Sequence, residues 1–114
     1  MTGCIFCKIA AGEIPCEKVY EDADVLAFRD INPRAPVHIL VIPKAHAAAG
    51  AGEINESNSA AVGKCFEVIA KLARELNLSA GFRVVTNNGP AAGQMVPHLH
   101  FHLLAGKDLT PVMG

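Results

Sequence analysis

His98-Leu99-His100-Phe101-His102-Leu103-Leu104 is the stretch on which the reading of this chain turns. On a helix, His98 and His102 would meet while His100 faced away. On a strand, side chains alternate, so all three imidazoles share one face and Leu99, Phe101 and Leu103 share the other. The apolar set is suited to a core and the imidazole set to lining a site. A strand is therefore predicted over 98–104, with Pro97 acceptable at its start.

Three uses of such a face are open. It could be a polar surface that happens to be rich in histidine, but three of the chain's five histidines fall in perfect alternation. It could bind zinc through all three. At ~3.3 Å per residue, however, neighbouring histidines lie ~7 Å apart and the outer pair ~13 Å, so only two reach one tetrahedral ion without a sharp bend. The third use, a phosphate site, fits best. Neutral imidazole is a competent nucleophile near pH 7, and its neighbours can donate hydrogen bonds or protons. The loop Asn87-Asn88-Gly89-Pro90-Ala91-Ala92-Gly93-Gln94 arrives directly before the histidines. Its glycines let backbone N–H groups approach a phosphate, and Asn87 and Gln94 add side-chain donors.

Outward from there, residues 82–86 read as a strand preceding the loop. Val62, Cys65, Phe66, Ile69, Leu72, Ala73 and Leu76 mark one face of a long amphipathic helix over about 57–76. Ser57 or Asn58 can cap its start, and Asn77 lies near its end. Val37-His38-Ile39-Leu40-Val41-Ile42 is a strand closed by Pro43. Residues 18–20 and 25–28 flank the acidic turn Glu21-Asp22-Ala23-Asp24 as a hairpin. Residues 3–11 form a short helix stopped by Gly12. Five strands, with one long helix between the third and fourth, argue for an α+β fold in a single domain over 1–114.

Composition bounds the function. With 51% apolar residues a real core can form, although a chain of 114 residues gains from pairing with a second copy. A formal net charge of −1, with acids and bases interleaved, lacks the basic footprint that nucleic-acid polymers or anionic membranes require. A nucleotide ligand would be small and held in a pocket. No apolar run approaches the ~20 residues of a membrane span, and residues 1–8 do not read as a signal peptide. A cytoplasmic location is expected, where Cys4, Cys7, Cys16 and Cys65 serve as thiols or metal ligands rather than disulfides.

Several longer stretches carry a resemblance. They are Ile5-Phe6-Cys7-Lys8-Ile9, Gly12-Glu13-Ile14-Pro15, residues 26–33, residues 35–44 and residues 87–104. Together they make the chain similar, over nearly its whole length, to the histidine triad (HIT) nucleotide-binding proteins, in particular the purine nucleoside phosphoramidase branch. The alternating triad behind Gly93-Gln94 is the most specific piece. The resemblance implies a HIT-like fold, a five-stranded antiparallel sheet with one long and one short helix, and a homodimer that joins two sheets into ten strands.

It also implies roles. His100 would attack the α-phosphorus and carry a transient nucleotidyl group. His98 and His102 would position the phosphate and shuttle a proton, supported by His38. Ile5, Phe6, Ile9, Phe28, Ile31 and Leu40 match the walls around the base, although any one of them could be ordinary core. Asp30 matches the ribose carboxylate and could equally be a local turn residue. Asn87, Gly93, Gln94, Met95 and Val96 match the phosphate side. Met95 stands where close relatives of this branch often carry a serine that hydrogen-bonds the leaving group. The tail from Ala105 lacks the tryptophan of animal members and looks bacterial.

Cys4-x-x-Cys7 is half of a zinc or redox site. No βαβ pattern surrounds it, which argues against a thioredoxin-type motif. In some bacterial histidine triad proteins this pair joins histidines at positions matching His46 and His98, so the resemblance implies a Cys₂His₂ structural zinc site. Cys16 and Cys65 are expected to be packing thiols. No cofactor is required for the chemistry.

The reading is a nucleotide hydrolase that cleaves purine nucleoside phosphoramidates or adenylated compounds and releases AMP- or GMP-type products. Hydrolysis of dinucleoside polyphosphates is an enzymatic alternative. A nucleotide-binding scaffold and a zinc-only structural protein are the non-enzymatic ones.

Overall fold

The computed structural model describes residues 3–109, so residues 1–2 and the tail from 110 onward lie outside the described residues. Five strands form one antiparallel sheet: β1 (Lys18–Glu21), β2 (Val25–Arg29), β3 (Val37–Pro43), β4 (Arg83–Val85) and β5 (Phe101–Ala105). Their spatial order is β1-β2-β3-β5-β4. The long helix α2 (Ser59–Glu75) carries the chain from β3 to the far edge, and β5 returns into the gap between β3 and β4. The short helix α1 (Ile5–Ala10) precedes the sheet.

The alternation read from the sequence divides the interior in two. Val25, Ala27, Ile39, Val41, Leu99, Phe101 and Leu103 point to one side, where Cys65, Val68, Ile69 and Leu72 of α2 cover them. Leu26, Phe28, Leu40 and Ile42 point to the other, where Cys4, Phe6 and Ile9 of the α1 segment meet them. Each fully buried side chain of this kind contributes about 1.5–3 kcal/mol. The sheet thus has a large core behind it and a small one in front.

Local chemistry shapes the ends. Asp22 Oδ1 accepts the N–H groups of Asp24 and Val25 at 2.7 and 2.8 Å, which closes the β1–β2 hairpin. Asn77 ends α2 in the left-handed region (φ 57°), and Leu78 N–H reaches back to Ala73 O at 2.9 Å. Asn58 stands at the N-cap of α2, but its side chain does not cap the helix. Its amide instead donates to Ala47 O and Glu53 O, and its Oδ1 accepts from Asn55 N–H, so it braces the loop before the helix.

The last strand is shorter than the predicted 98–104, because its ladder begins at Phe101. Beyond the Val41–Phe101 pair, the main-chain groups of 98–100 find other partners. Leu99 N–H goes to Ala48 O at 2.9 Å, and His100 O accepts from the Thr86 hydroxyl at 2.8 Å. The side chains nevertheless keep their alternation through this segment, with Leu99 in the large core and the histidines on the opposite face. Among the described residues no helix is long and apolar enough to cross a membrane.

Candidate active site and metal centre

The histidines form a cluster in which heavy-atom contacts assign each proton. His38 Nδ1 accepts the backbone N–H of Arg34 at 3.0 Å, so its own proton sits on Nε2. That Nε2–H donates to His102 Nδ1 at 2.9 Å, which leaves the His102 proton on Nε2. His100 Nδ1–H donates to the backbone carbonyl of His98 at 2.7 Å, which leaves the Nε2 of His100 with a lone pair. His98 Nε2–H donates to Pro43 O at 2.8 Å and leaves its Nδ1 as the acceptor. Four hydrogen bonds thus set the proton positions of four rings.

Burial keeps these rings neutral. His98, His100 and His38 are all pushed below the ordinary imidazole value, in each case mainly by burial. His102 is lowered to about 4, by burial first and then by its neighbours His100 and His38, with Asp30 pulling the other way. The His100 and His102 rings stand 5.1 Å apart, and the Phe6 ring lies edge-on to His100 at 5.0 Å. Neutral imidazole, one ring with an open lone pair and the next with an open N–H, is the state required for nucleophilic attack at neutral pH.

His98 departs from the role first assigned to it. It is fully buried, and both of its ring nitrogens are engaged, Nε2 on Pro43 O and Nδ1 toward the thiols of Cys4 (3.3 Å) and Cys7 (3.5 Å). It cannot position a phosphate through its side chain. Its contribution toward His100 runs through its backbone carbonyl.

Cys4, Cys7, His46 and His98 each bring one donor atom to a common point, all four within 4.8 Å of one another. His46 Nδ1 lies 3.3 Å from Cys7 Sγ. Two sulfurs and two imidazole nitrogens at this spacing fit a tetrahedral zinc ion. The Pro43 carbonyl on the far nitrogen of His98 is the outer support that zinc-bound histidines use. Asp30, His38 and His102 also bring ligand atoms within 4.8 Å of one another, but Arg34 N–H fixes the His38 proton on the nitrogen facing that group. That set is a hydrogen-bonded chain, without a free lone pair on His38 for a cation.

Of the base-wall residues, Phe6, Ile9, Phe28 and Leu40 belong to the small core and are buried. Ile5 is half exposed, and Ile31 is 92% exposed on a bend. Asp30 takes the local-turn role, with Oδ1 accepting Asn32 N–H at 2.8 Å, and its Oδ2 lies 3.4 Å from His38 Nε2. Gly93 adopts φ 87° in the left-handed region, a conformation that excludes most side chains. Asn87 is half-buried, Met95 is 92% exposed, and Val96 packs against the small core.

Gln94 is not free to donate to a phosphate. Its Oε1 accepts Gly89 N–H at 2.7 Å, and its Nε2 donates to Ala49 O at 2.6 Å and Val96 O at 2.9 Å. It ties the loop shut. Sequence reasoning also missed Asn88, whose Oδ1 accepts Gly52 N–H at 2.8 Å, and Thr86, which holds His100 O. They flank Asn87, Thr86 just before the loop and Asn88 within it, and that adjacency was the available signal. The concavities along α2, beside the 88–97 loop and beside β4 have no histidine among their described lining residues.

A HIT domain family model matches residues 11–109. A 14 kDa zinc-binding protein of Zea mays is 46% identical over 93% of this chain and 84% of its own. The purine nucleoside phosphoramidase of Escherichia coli K12 is 40% identical over 96% of this chain and 92% of its own. Among solved structures, an HIT family hydrolase from Clostridium thermocellum superimposes with a TM-score of 0.94 at 47% identity, covering 99% of this chain and 98% of that one. With the triad, the sheet order and these likenesses in agreement, the chain belongs to the HIT domain family of hydrolases.

Proposed function

We propose that this protein hydrolyses purine nucleoside phosphoramidates or related adenylated compounds through a nucleotidyl group carried on His100. One observation carries the reading: His100 donates Nδ1–H to the His98 carbonyl, so the opposite nitrogen of a buried, neutral ring holds an unshared pair. That nitrogen attacks the α-phosphorus, the bond from phosphorus to the leaving nitrogen breaks, and the departing amine takes up the proton carried by His102. Water then attacks phosphorus and gives its proton to His102, the phosphorus–imidazole bond breaks, and the nucleoside monophosphate leaves.

His102 presents its Nε2–H beside the nucleophile because His38 holds its other nitrogen. An arriving phosphate favours the cationic form of His102, which makes this ring a proton carrier only when substrate is present. Asp30 holds the ribose hydroxyls through Oδ2 in this reading, since the turn bond to Asn32 N–H occupies only Oδ1. Met95, exposed on the phosphate side, offers a leaving group a thioether and no hydrogen-bond donor. The protein works as a homodimer on small purine nucleotides, and a zinc ion at the Cys₂His₂ cluster is structural.

The test is to incubate the protein with adenosine 5′-phosphoramidate and, separately, with a diadenosine polyphosphate, and to trap and map any adduct. An AMP group on His100, and loss of turnover by at least about 10³-fold in His100→Ala with AMP binding largely kept, supports the reading. Preferred cleavage of the polyphosphate moves the substrate class. AMP binding without turnover or adduct replaces the enzyme with a nucleotide-binding scaffold.

A further inference from the structure

The cysteine–histidine cluster and the nucleophile share a mount. Phe6 lies in α1 between Cys4 and Cys7, and its ring stands edge-on to His98 at 5.9 Å, to His100 at 5.0 Å and to Phe28 at 5.7 Å. One aromatic side chain therefore touches a ring of the metal cluster, the ring proposed as nucleophile and a residue matching the base wall. The Cys4 thiol accepts Cys7 N–H at 3.4 Å at the start of α1, and both thiols reach His98 Nδ1.

Alone, α1 cannot hold Phe6 in place. Its six residues fall well short of the ~12–15 that an isolated helix needs. Apart from the small core, it is fastened by sulfur–nitrogen contacts, which are weak as hydrogen bonds. A zinc ion held by these four residues would replace the contacts with bonds joining α1 to the 43–50 segment and to the entry of β5. Phe6 is then fixed before a nucleotide arrives, and a nucleotide packed against Phe6 in turn holds α1 for the metal.

We propose that zinc at Cys4, Cys7, His46 and His98 and a nucleotide at His100 bind cooperatively, with Phe6 transmitting the coupling. The inference rests on the nucleotide-site reading above. Thermodynamic reciprocity requires that each ligand tighten the other by the same factor.

Zinc affinity is to be measured by competition with a chromophoric chelator, with and without saturating AMP. AMP affinity is to be measured by calorimetry on loaded and stripped protein. The expected result is a tightening of about tenfold in both directions, within the range usual for such coupling. Amides of α1 should exchange hydrogen more slowly with zinc, and slowest with both ligands. Phe6→Leu keeps an apolar side chain but loses the ring, so it should retain zinc and lose most of the AMP effect. Equal AMP affinity for loaded and stripped protein overturns the coupling while leaving the nucleotide reading intact. AMP binding to neither form removes both. Zinc that binds wild type and Cys7→Ala alike sits elsewhere, which also overturns the inference.

Discussion

Acid should destabilise this protein through His102, over a window that can be worked out in advance. In the unfolded chain this imidazole protonates near its ordinary value of 6.5, whereas in the fold it refuses a proton until about pH 4. Between those values the unfolded state binds more protons, so stability rises with pH across the window. The contribution is whole above about 6.5, declines as pH falls and is spent near 4. The gap spans about 2.5 pH units at ~1.4 kcal/mol each, or about 3 kcal/mol. Against a typical domain stability of about 5–15 kcal/mol, that is a large fraction. Urea denaturation at steps from pH 7 to pH 4, with a chelator present so that metal loss does not contribute, measures the slope. His102→Asn is the control: its Oδ1 can still accept His38 Nε2–H, but the residue does not titrate. The carboxylates common to both proteins cancel in the difference. Wild type should lose about 3 kcal/mol more than the variant over the window. Parallel curves would refute the claim that His102 is held neutral by its surroundings.

Gln94→Ala removes three hydrogen bonds and leaves Gly89 N–H without its acceptor, so the denaturation midpoint should fall by the equivalent of about 2–3 kcal/mol. Adding a Cβ at Gly50 places it 2.5 Å from Asn88 Oδ1, and Gly50→Ala should cost about 1–3 kcal/mol. Asn88→Ala, combined with it, should show a favourable coupling in a double-mutant cycle; strict additivity would mean that the clash is relieved elsewhere. Stripping metal with a chelator, or replacing Cys4 by Ala, should lower the melting temperature of purified protein that contains one zinc per chain. Metal-free protein of unchanged stability would end the structural-zinc role.

The fold was legible where one periodicity governs a whole segment. Leu99, Phe101 and Leu103 alternate with histidines, and Cys65, Ile69 and Leu72 repeat at helical spacing, so sheet side and helix face could both be read, although Phe66 and Leu76 of the predicted face stay exposed and Val68 joins the core in addition. The reading failed where polar side chains choose among several local partners. Nothing in the spacing of Asn58 says that it will brace Ala47 and Glu53 rather than cap α2, or that Gln94 will spend both amide protons on carbonyls of its own fold. The site shows the same division. The shared face of His98, His100 and His102 follows from the two-residue repeat. That His98 turns to sulfur depends on Pro43 and on α1, which are distant in the chain and meet it only after folding. The membership of the Cys₂His₂ set, by contrast, was carried by resemblance, since Cys4, Cys7 and His46 have no common period.

The sheet's two sides are unequally roofed. Seventeen residues of α2 close the back, while the front relies on a helix of six and on loops. Fluctuations short of global unfolding should therefore begin at the front, with α1 and the 88–97 loop lifting while β3 and β5 stay paired. On the reading proposed above, ligands exchange at His100, on the segment that leads into β5, beneath a cover that yields easily. Changes in the cover can retune what enters without endangering the frame behind it.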